Sequence, residues 1–204
     1  DLPTAIRNEL RDYRIGANFR TDGKYKICFK SVLPPLDLMN TSLVTSFTLA
    51  TSANDEVEIR GLKIHRNDNL PLGNPPILTI KAASGSTGII KDSDFTNVID
   101  GIKIYGQGTA ELYNVNISGD PLSKSGKCLY LRSDNAKVIG GDYSNCMTGI
   151  WVEGHNVEIG TLTDLTKIHD NRQGIVATGS GIWWATSIYG NGLDAADGIW
   201  IPDN

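Results

Sequence analysis

The stretch DYSNCMTGIWVEG, residues 142–154, reads as a short apolar strand entered through a bend that carries an asparagine. Its cadence returns as HDNRQGIVATG at 169–179 and as YGNGLDAADGIWIPD at 189–203. Gly-Ile steps fall at Gly101-Ile102, Gly149-Ile150, Gly174-Ile175 and Gly198-Ile199, with Cys128-Leu129 filling the gap, so the apolar residue recurs at intervals of 27, 21, 25 and 24. Self-similarity at that period is the signature of a solenoid, in which each repeat buries its apolar side only by stacking on its neighbours.

A second series runs upstream of the first, through Ile59, Ile89, Leu112, Val138, Ile159 and Ile182. Within each strand apolar and variable positions alternate, as in Ile102 and Ile104 against Lys103 and Tyr105, which is the period of a half-buried strand and not of a helix. Asn67, Asn97, Asn145, Asn171 and Asn191 follow at separations of 30, 48, 26 and 20, with Gly119 in the skipped slot. A ring precedes each by two residues: His65, Phe95, Tyr143, His169 and Tyr189. Asparagine tolerates left-handed backbone at a bend, and amides stacked one coil apart can hydrogen-bond as a ladder, so these five are read as a structural asparagine ladder.

Strand, amide-bearing bend and strand, repeated, describe a parallel β-helix. On FTNVIDGIKI, YSNCMTGIWV, HDNRQGIVA and AADGIWI, residues 57–204 resemble the right-handed parallel β-helices of the pectin-lyase-like superfamily, and most of all those of bacteriophage tailspikes. The resemblance implies an all-β solenoid. It also implies a virion receptor-binding protein that recognises, and in some members depolymerises, a bacterial surface polysaccharide such as capsule or O-antigen. Such a protein would act as a homotrimer in the phage tail after folding in the host cytoplasm. A secreted polysaccharide lyase or glycoside hydrolase of the same superfamily, and a structural or adhesive β-helix without catalysis, are the competing readings.

Residues 1–56 read differently and form a capping segment. Leu2, Ile6 and Leu10 make an amphipathic helical stripe with Thr4 as its cap, and helices of this kind plug the N-terminal end of related solenoids. FRTDGKYKICF, with a turn at Asp22-Gly23 and alternating Tyr25, Ile27 and Phe29, predicts a hairpin, and Pro34-Pro35 ends it. SLVTSFTLAT predicts one more strand. The chain starts without Met and ends at GIWIPDN in mid-repeat, which leads us to expect a piece of a longer protein or an end covered by another chain.

Composition narrows the functional classes. Hydrophobic residues are 40%, charged residues 21% and glycines 22 in number, which suits a turn-rich globular chain. A net charge of -4 without basic blocks argues against nucleic acid, and the short apolar runs argue against membrane insertion. Cys28, Cys128 and Cys146 are odd in number and scattered, which predicts buried free thiols in a reducing compartment. Three scattered histidines make no zinc cluster, so no metal and no cofactor are expected.

Stacking the coils turns spacing into outward stripes. Lys103, Tyr130, Trp151, Val176 and Trp200 form one, and Tyr105, Arg132, Glu153, Thr178 and Pro202 the next. Tyr130, Trp151, Trp200, Tyr105 and Arg132 are thus candidate carbohydrate contacts, with rings to stack on sugars and a cation for uronates or hydroxyls; a subunit seam is the alternative use of the same face. A glycosidase needs two carboxyl groups in register. Glu153 has no acid beside it, and counting along the upstream strand gives a stripe of Lys63, Ser93, Asn116, Asp142, Thr163 and Thr186 in which Asp142 is the one acid. Catalytic candidates are therefore Glu153 and Asp142, partnered by Asp164 or Asp170 from loops, one of them lengthened by TLTDLTK. His155 and His169 offer acid–base capacity, although His169 falls at a ring position of the ladder and so reads as structural. Glu111, Lys137 and Glu158 alternate in sign and read as a surface ion-pair ladder.

Overall fold

A computed structural model describes residues 24–28, 47–50, 56–65, 76–183, 187–192 and 199–200. Among them there is no helix, and every strand pair is parallel. The strands are β1 Lys24–Cys28, β2 Phe47–Ala50, β3 Glu56–Arg60, β4 Lys63–His65, β5 Leu78–Ala82 and β6 Thr87–Val98. They continue as β7 Ile102–Gly106, β8 Thr109–Gly119, β9 Lys127–Ser133, β10 Lys137–Ile139, β11 Asp142–Ser144 and β12 Thr148–Val152. The last are β13 Val157–Ile159, β14 Lys167–His169, β15 Gln173–Ala177, β16 Gly181–Trp183, β17 Ser187–Tyr189 and β18 Ile199–Trp200.

Pairing joins them into a parallel β-solenoid with three faces. The first face stacks β1, β3, β6, β8, β10, β13 and β16 in that order. The second stacks β4, the later part of β6, the later part of β8, β11, β14 and β17. The third stacks β2, β5, β7, β9, β12, β15 and β18. Because β6 and β8 run unbroken through one corner, the first two faces form one 11-stranded sheet, and the third is a separate 7-stranded sheet.

Each corner needs left-handed backbone, which asparagine, aspartate and glycine adopt at least cost. Between the first and second faces the column is Gly61, Asp92, Asn114 and Gly140, with φ of 73°, 50°, 52° and 67°. Between the second and third it is Asn145, Asp170 and Gly190, at 58°, 55° and 62°. Asn135 and Asn156, at 55° and 56°, serve the corner that leads back to the first face, and Asn156 Nδ2 donates to Asn135 Oδ1 at 3.4 Å. The glycine of the Gly-Ile step has another cause: a Cβ at Gly149 would stand 2.7 Å from the Gly174 carbonyl oxygen and 2.6 Å from Ile168 Cγ2. The coils approach too closely there for any side chain.

The core is the inside of the tube. Ile102, Ile104, Leu129, Leu131, Ile150, Val152, Ile175 and Ala177 line it from the third face, and Ile64, Phe95, Ile117, Tyr143 and Ile168 from the second. On the first face the inward column is Ile59, Ile90, Leu112, Val138 and Ile159; Ile89 pairs with Glu58 and Glu111, and Ile182 with Glu158, one residue out of the expected phase.

The N-terminal strands and the cysteines bear on three further expectations. Tyr25 and Ile27 lie on a strand, and β1 pairs in parallel with β3; the other arm of the expected hairpin falls outside the described residues. The strand expected in SLVTSFTLAT is present at Phe47–Ala50 and pairs in parallel with β5, so both sheets extend into this part of the chain. Cys128 and Cys146, expected as free thiols, form a disulfide with Cα atoms 5.7 Å apart and both residues fully buried. The left-handed turn at Asn145 aims Cys146 into the interior, where the inward Cys128 of β9 waits. The helix around Leu2, Ile6 and Leu10, the Asp22-Gly23 turn, Phe29, Pro34-Pro35, Asn67 and Pro202 lie outside the described residues.

Candidate functional site

The asparagine series resolves into two roles. Asn145 is the bend residue, in line with Asp170 and Gly190, whereas Asn171 and Asn191 come one position later and point inward. Asn171 Nδ2 donates to Asn191 Oδ1 at 3.1 Å and to the Tyr143 carbonyl at 2.9 Å, and Asn171 Oδ1 accepts from the Cys146 N–H at 2.9 Å. Asn191 Nδ2 donates to the Ile168 carbonyl at 2.8 Å. Asn97 is the extra residue of a bulge in β6, with φ of 57°. The rings divide likewise: Phe95 and Tyr143 are in the core, while His169 and Tyr189 are outside, stacked at 4.8 Å between centroids with planes 4° apart.

The second face carries a groove of about 450 Å³ lined by Lys63, Asp94, Thr96, Asn116, Ser118 and Asp142 over the backbone of Ile64, Phe95 and Ile117. The outward column is Lys63, Asp94, Asn116, Asp142, Lys167 and Ser187. Asp94 therefore replaces Ser93 in the expected stripe, and Lys167 and Ser187 replace Thr163 and Thr186. The left-handed Asp92 turns Ser93 inward, where its hydroxyl accepts from the Leu62 N–H at 3.1 Å and donates to the Lys91 carbonyl at 2.8 Å. Asp142 is thus not the lone acid of its column: Asp94 stands two coils away, with Asn116 between them.

The charges of Lys63, Asp94 and Asp142 on this column are partnered. Lys63 Nζ is 3.5 Å from Asp94, and Asn116 Nδ2 donates to Asp94 at 2.8 Å. Asp142 lies 2.9 Å from His169 Nε2, and Asp170 lies 2.7 Å from His169 Nδ1. Burial alone would lower the His169 pKa, but hydrogen bonds to Asp170 and Asp142 and their negative charges outweigh it and hold the imidazole above its ordinary value. Asp142 and Asp170 thus converge, on a histidine. Asp164 does not join them: its backbone N–H donates to Thr161 Oγ1 at 2.9 Å and its carboxylate accepts from Thr163, closing its own loop. Glu153 sits on the third face, 3.4 Å from Arg132.

The third-face stripe is in the expected register, Lys103 beside Tyr130, Trp151, Val176 and Trp200, with Tyr105 beside Arg132. Its rings are not a flat platform. Tyr130 and Trp151 meet edge to face at 76°, and Val176 is fully buried. Lysines lie over the rings: Lys103 Nζ is 5.6 Å from the Tyr105 centroid and 5.3 Å from Tyr130, and Lys127 Nζ is 5.3 Å from Tyr130 and 4.6 Å from Trp151. Such positions suit cation–π attraction. Burial, with Glu153 as a hydrogen-bond acceptor and negative neighbour, pushes the Tyr130 pKa up to about 12, so the phenol stays neutral. Trp151 Nε1 is buried without an acceptor.

On the first face Lys137 pairs in register with Glu111 and Glu158, and Glu58 bridges Lys91 at 3.2 Å and Arg60 at 3.6 Å. Among the described residues no group of three or more His, Cys, Asp or Glu is placed to hold a metal ion. No helix there is long and apolar enough to cross a membrane. Compared with protein-family models, curated proteins and solved structures, the chain has no significant match.

Proposed function

We propose that this chain is the glycan-recognising solenoid of a bacteriophage tailspike or a related virion receptor-binding protein, working as a homotrimer on a bacterial surface polysaccharide. The observation that carries the reading is the second-face groove, in which Lys63, Asp94, Asn116 and Asp142 from successive coils meet in one column. Paired carboxylates, an amide and hydroxyls such as Thr96 and Ser118 supply the dense donors and acceptors that sugar hydroxyls require, on a rigid scaffold. The buried Cys128–Cys146 bridge suits a particle that works outside the reducing cell interior.

Binding of the native assembly to arrayed capsule and lipopolysaccharide preparations tests the reading. Asn116→Ala and Asp94→Ala, both at outward positions, should abolish or sharply weaken binding without changing the fold. If the unmodified protein binds no preparation, the reading fails.

Cleavage of the same glycan is a second reading, favoured by one spacing. Two coil steps place Asp94 and Asp142 about 9.5 Å apart, at the upper edge of the separation used for inverting hydrolysis. Asp142 with His169 is then the couple able to exchange a proton. Asp94→Asn and Asp142→Asn should each stop release of reducing ends, and full cleavage by either variant would eliminate the pair.

A further inference from the structure

The second-face groove holds its charges in pairs, but the third face does not. Arg132 is offset by Glu153 at 3.4 Å. Lys103 and Lys127 have no carboxylate partner among the described residues, and Asp100, the acid next to Lys127, accepts from its backbone N–H at 2.9 Å. Their ammonium groups are instead held over Tyr105, Tyr130 and Trp151. A ring attracts a cation without neutralising it, so the strip is a pair of positive charges fixed on a rigid sheet at neighbouring coils.

Building on the polysaccharide reading, we infer that the third face is an anion subsite that selects an acidic polysaccharide, with Lys103 and Lys127 contacting its carboxylates and the rings setting where the lysines stand. The geometry favours a sugar acid over a nucleic acid strand. Lysines already cover the ring faces on which bases would stack, and Tyr130 and Trp151 are perpendicular, so successive bases find no parallel platform. Carboxylates spaced along a polysaccharide need only the cations.

The test uses the native assembly on an array in which each acidic polysaccharide is printed beside its carboxyl-reduced, neutral form, with single-stranded DNA as a competitor. We expect binding to acidic forms that is lost on carboxyl reduction. The Lys103→Gln/Lys127→Gln variant should weaken it by about tenfold or more, as expected for loss of hydrogen bonds to charged groups, and Lys103→Arg/Lys127→Arg should retain it. Thermal midpoints should be equal across the set. Binding that survives carboxyl reduction, or that the glutamine variant leaves unchanged, overturns the anion subsite while the groove reading stands. Equal competition by DNA overturns it in favour of general polyanion binding. Absence of binding to every member of the array overturns both.

Discussion

Asn171 donates from Nδ2 to Oδ1 of Asn191 at 3.1 Å, one coil to the next inside the wall of the solenoid. The same amide satisfies the Cys146 N–H and the Tyr143 carbonyl. Asn171→Ala leaves the buried Cys146 N–H without its acceptor and takes a donor from the Tyr143 carbonyl, and should destabilise the chain by about 2–3 kcal/mol. Urea unfolding measures it; a loss under about 1 kcal/mol would show that the amide is dispensable.

Tyr143 carries the opposite expectation. Its ring is fully buried in the second-face column, and its hydroxyl has no partner. Burial first, and then the Asp142 charge, push its pKa far above the ordinary value, so the hydroxyl stays protonated. Tyr143→Phe keeps the ring and removes an unpaired polar group, and should stabilise by about 1 kcal/mol. A marked loss of stability would mean that the hydroxyl is satisfied in solution.

His169 couples stability to pH. Asp142 and Asp170 face its two nitrogens, Tyr189 covers its ring, and Lys167 stands two residues before it on β14. Its folded pKa is above the unfolded one, so the stabilisation is fully present below the ordinary histidine value and is lost as pH rises through the folded value. The thermal midpoint of the unmodified chain should exceed that of His169→Gln most below the ordinary histidine value of about 6.5, and the gap should shrink as the pH is raised above it. A gap that widens with pH would reverse the assignment.

The Cys128–Cys146 bridge closes a separation of 18 residues, nearly a full coil. Loop closure of that size is worth about 3 kcal/mol. The Cys128→Ala/Cys146→Ala chain should unfold at correspondingly lower urea concentration. Thiol labelling of the denatured, unreduced chain should modify neither residue, and labelling at both positions would restore the free-thiol description.

On the third face the register was legible residue by residue, because each Gly-Ile step marks the start of its strand and nothing intervenes. Asp94 is hidden in the sequence because the corner at Asp92 shifts the alternation by one residue and turns Ser93 inward. The left-handed residue at Asp92 and the protruding loop at 161–166 each break a tally carried over from the first face, and a slip of one residue turns every side chain to the other side of the wall. A signal was present nonetheless: an acid immediately precedes the core ring in Asp94-Phe95 as in Asp142-Tyr143, and Lys-Ile-His occurs at both 63–65 and 167–169. The ladder slipped for the same reason, since Asn145 turns the bend while Asn171 follows it. The disulfide was illegible because 18 residues of separation become a contact only once the coil is closed.

The outward column of the second face reads Lys63, Asp94, Asn116, Asp142, Lys167. In charge it is a palindrome about Asn116, built from strands that all point the same way. A linear polymer laid along it meets the same order of positive, negative and neutral groups from either end. Such a surface has little sense of direction. It would grip the interior of a long chain wherever the local pattern fits, without needing to find a terminus.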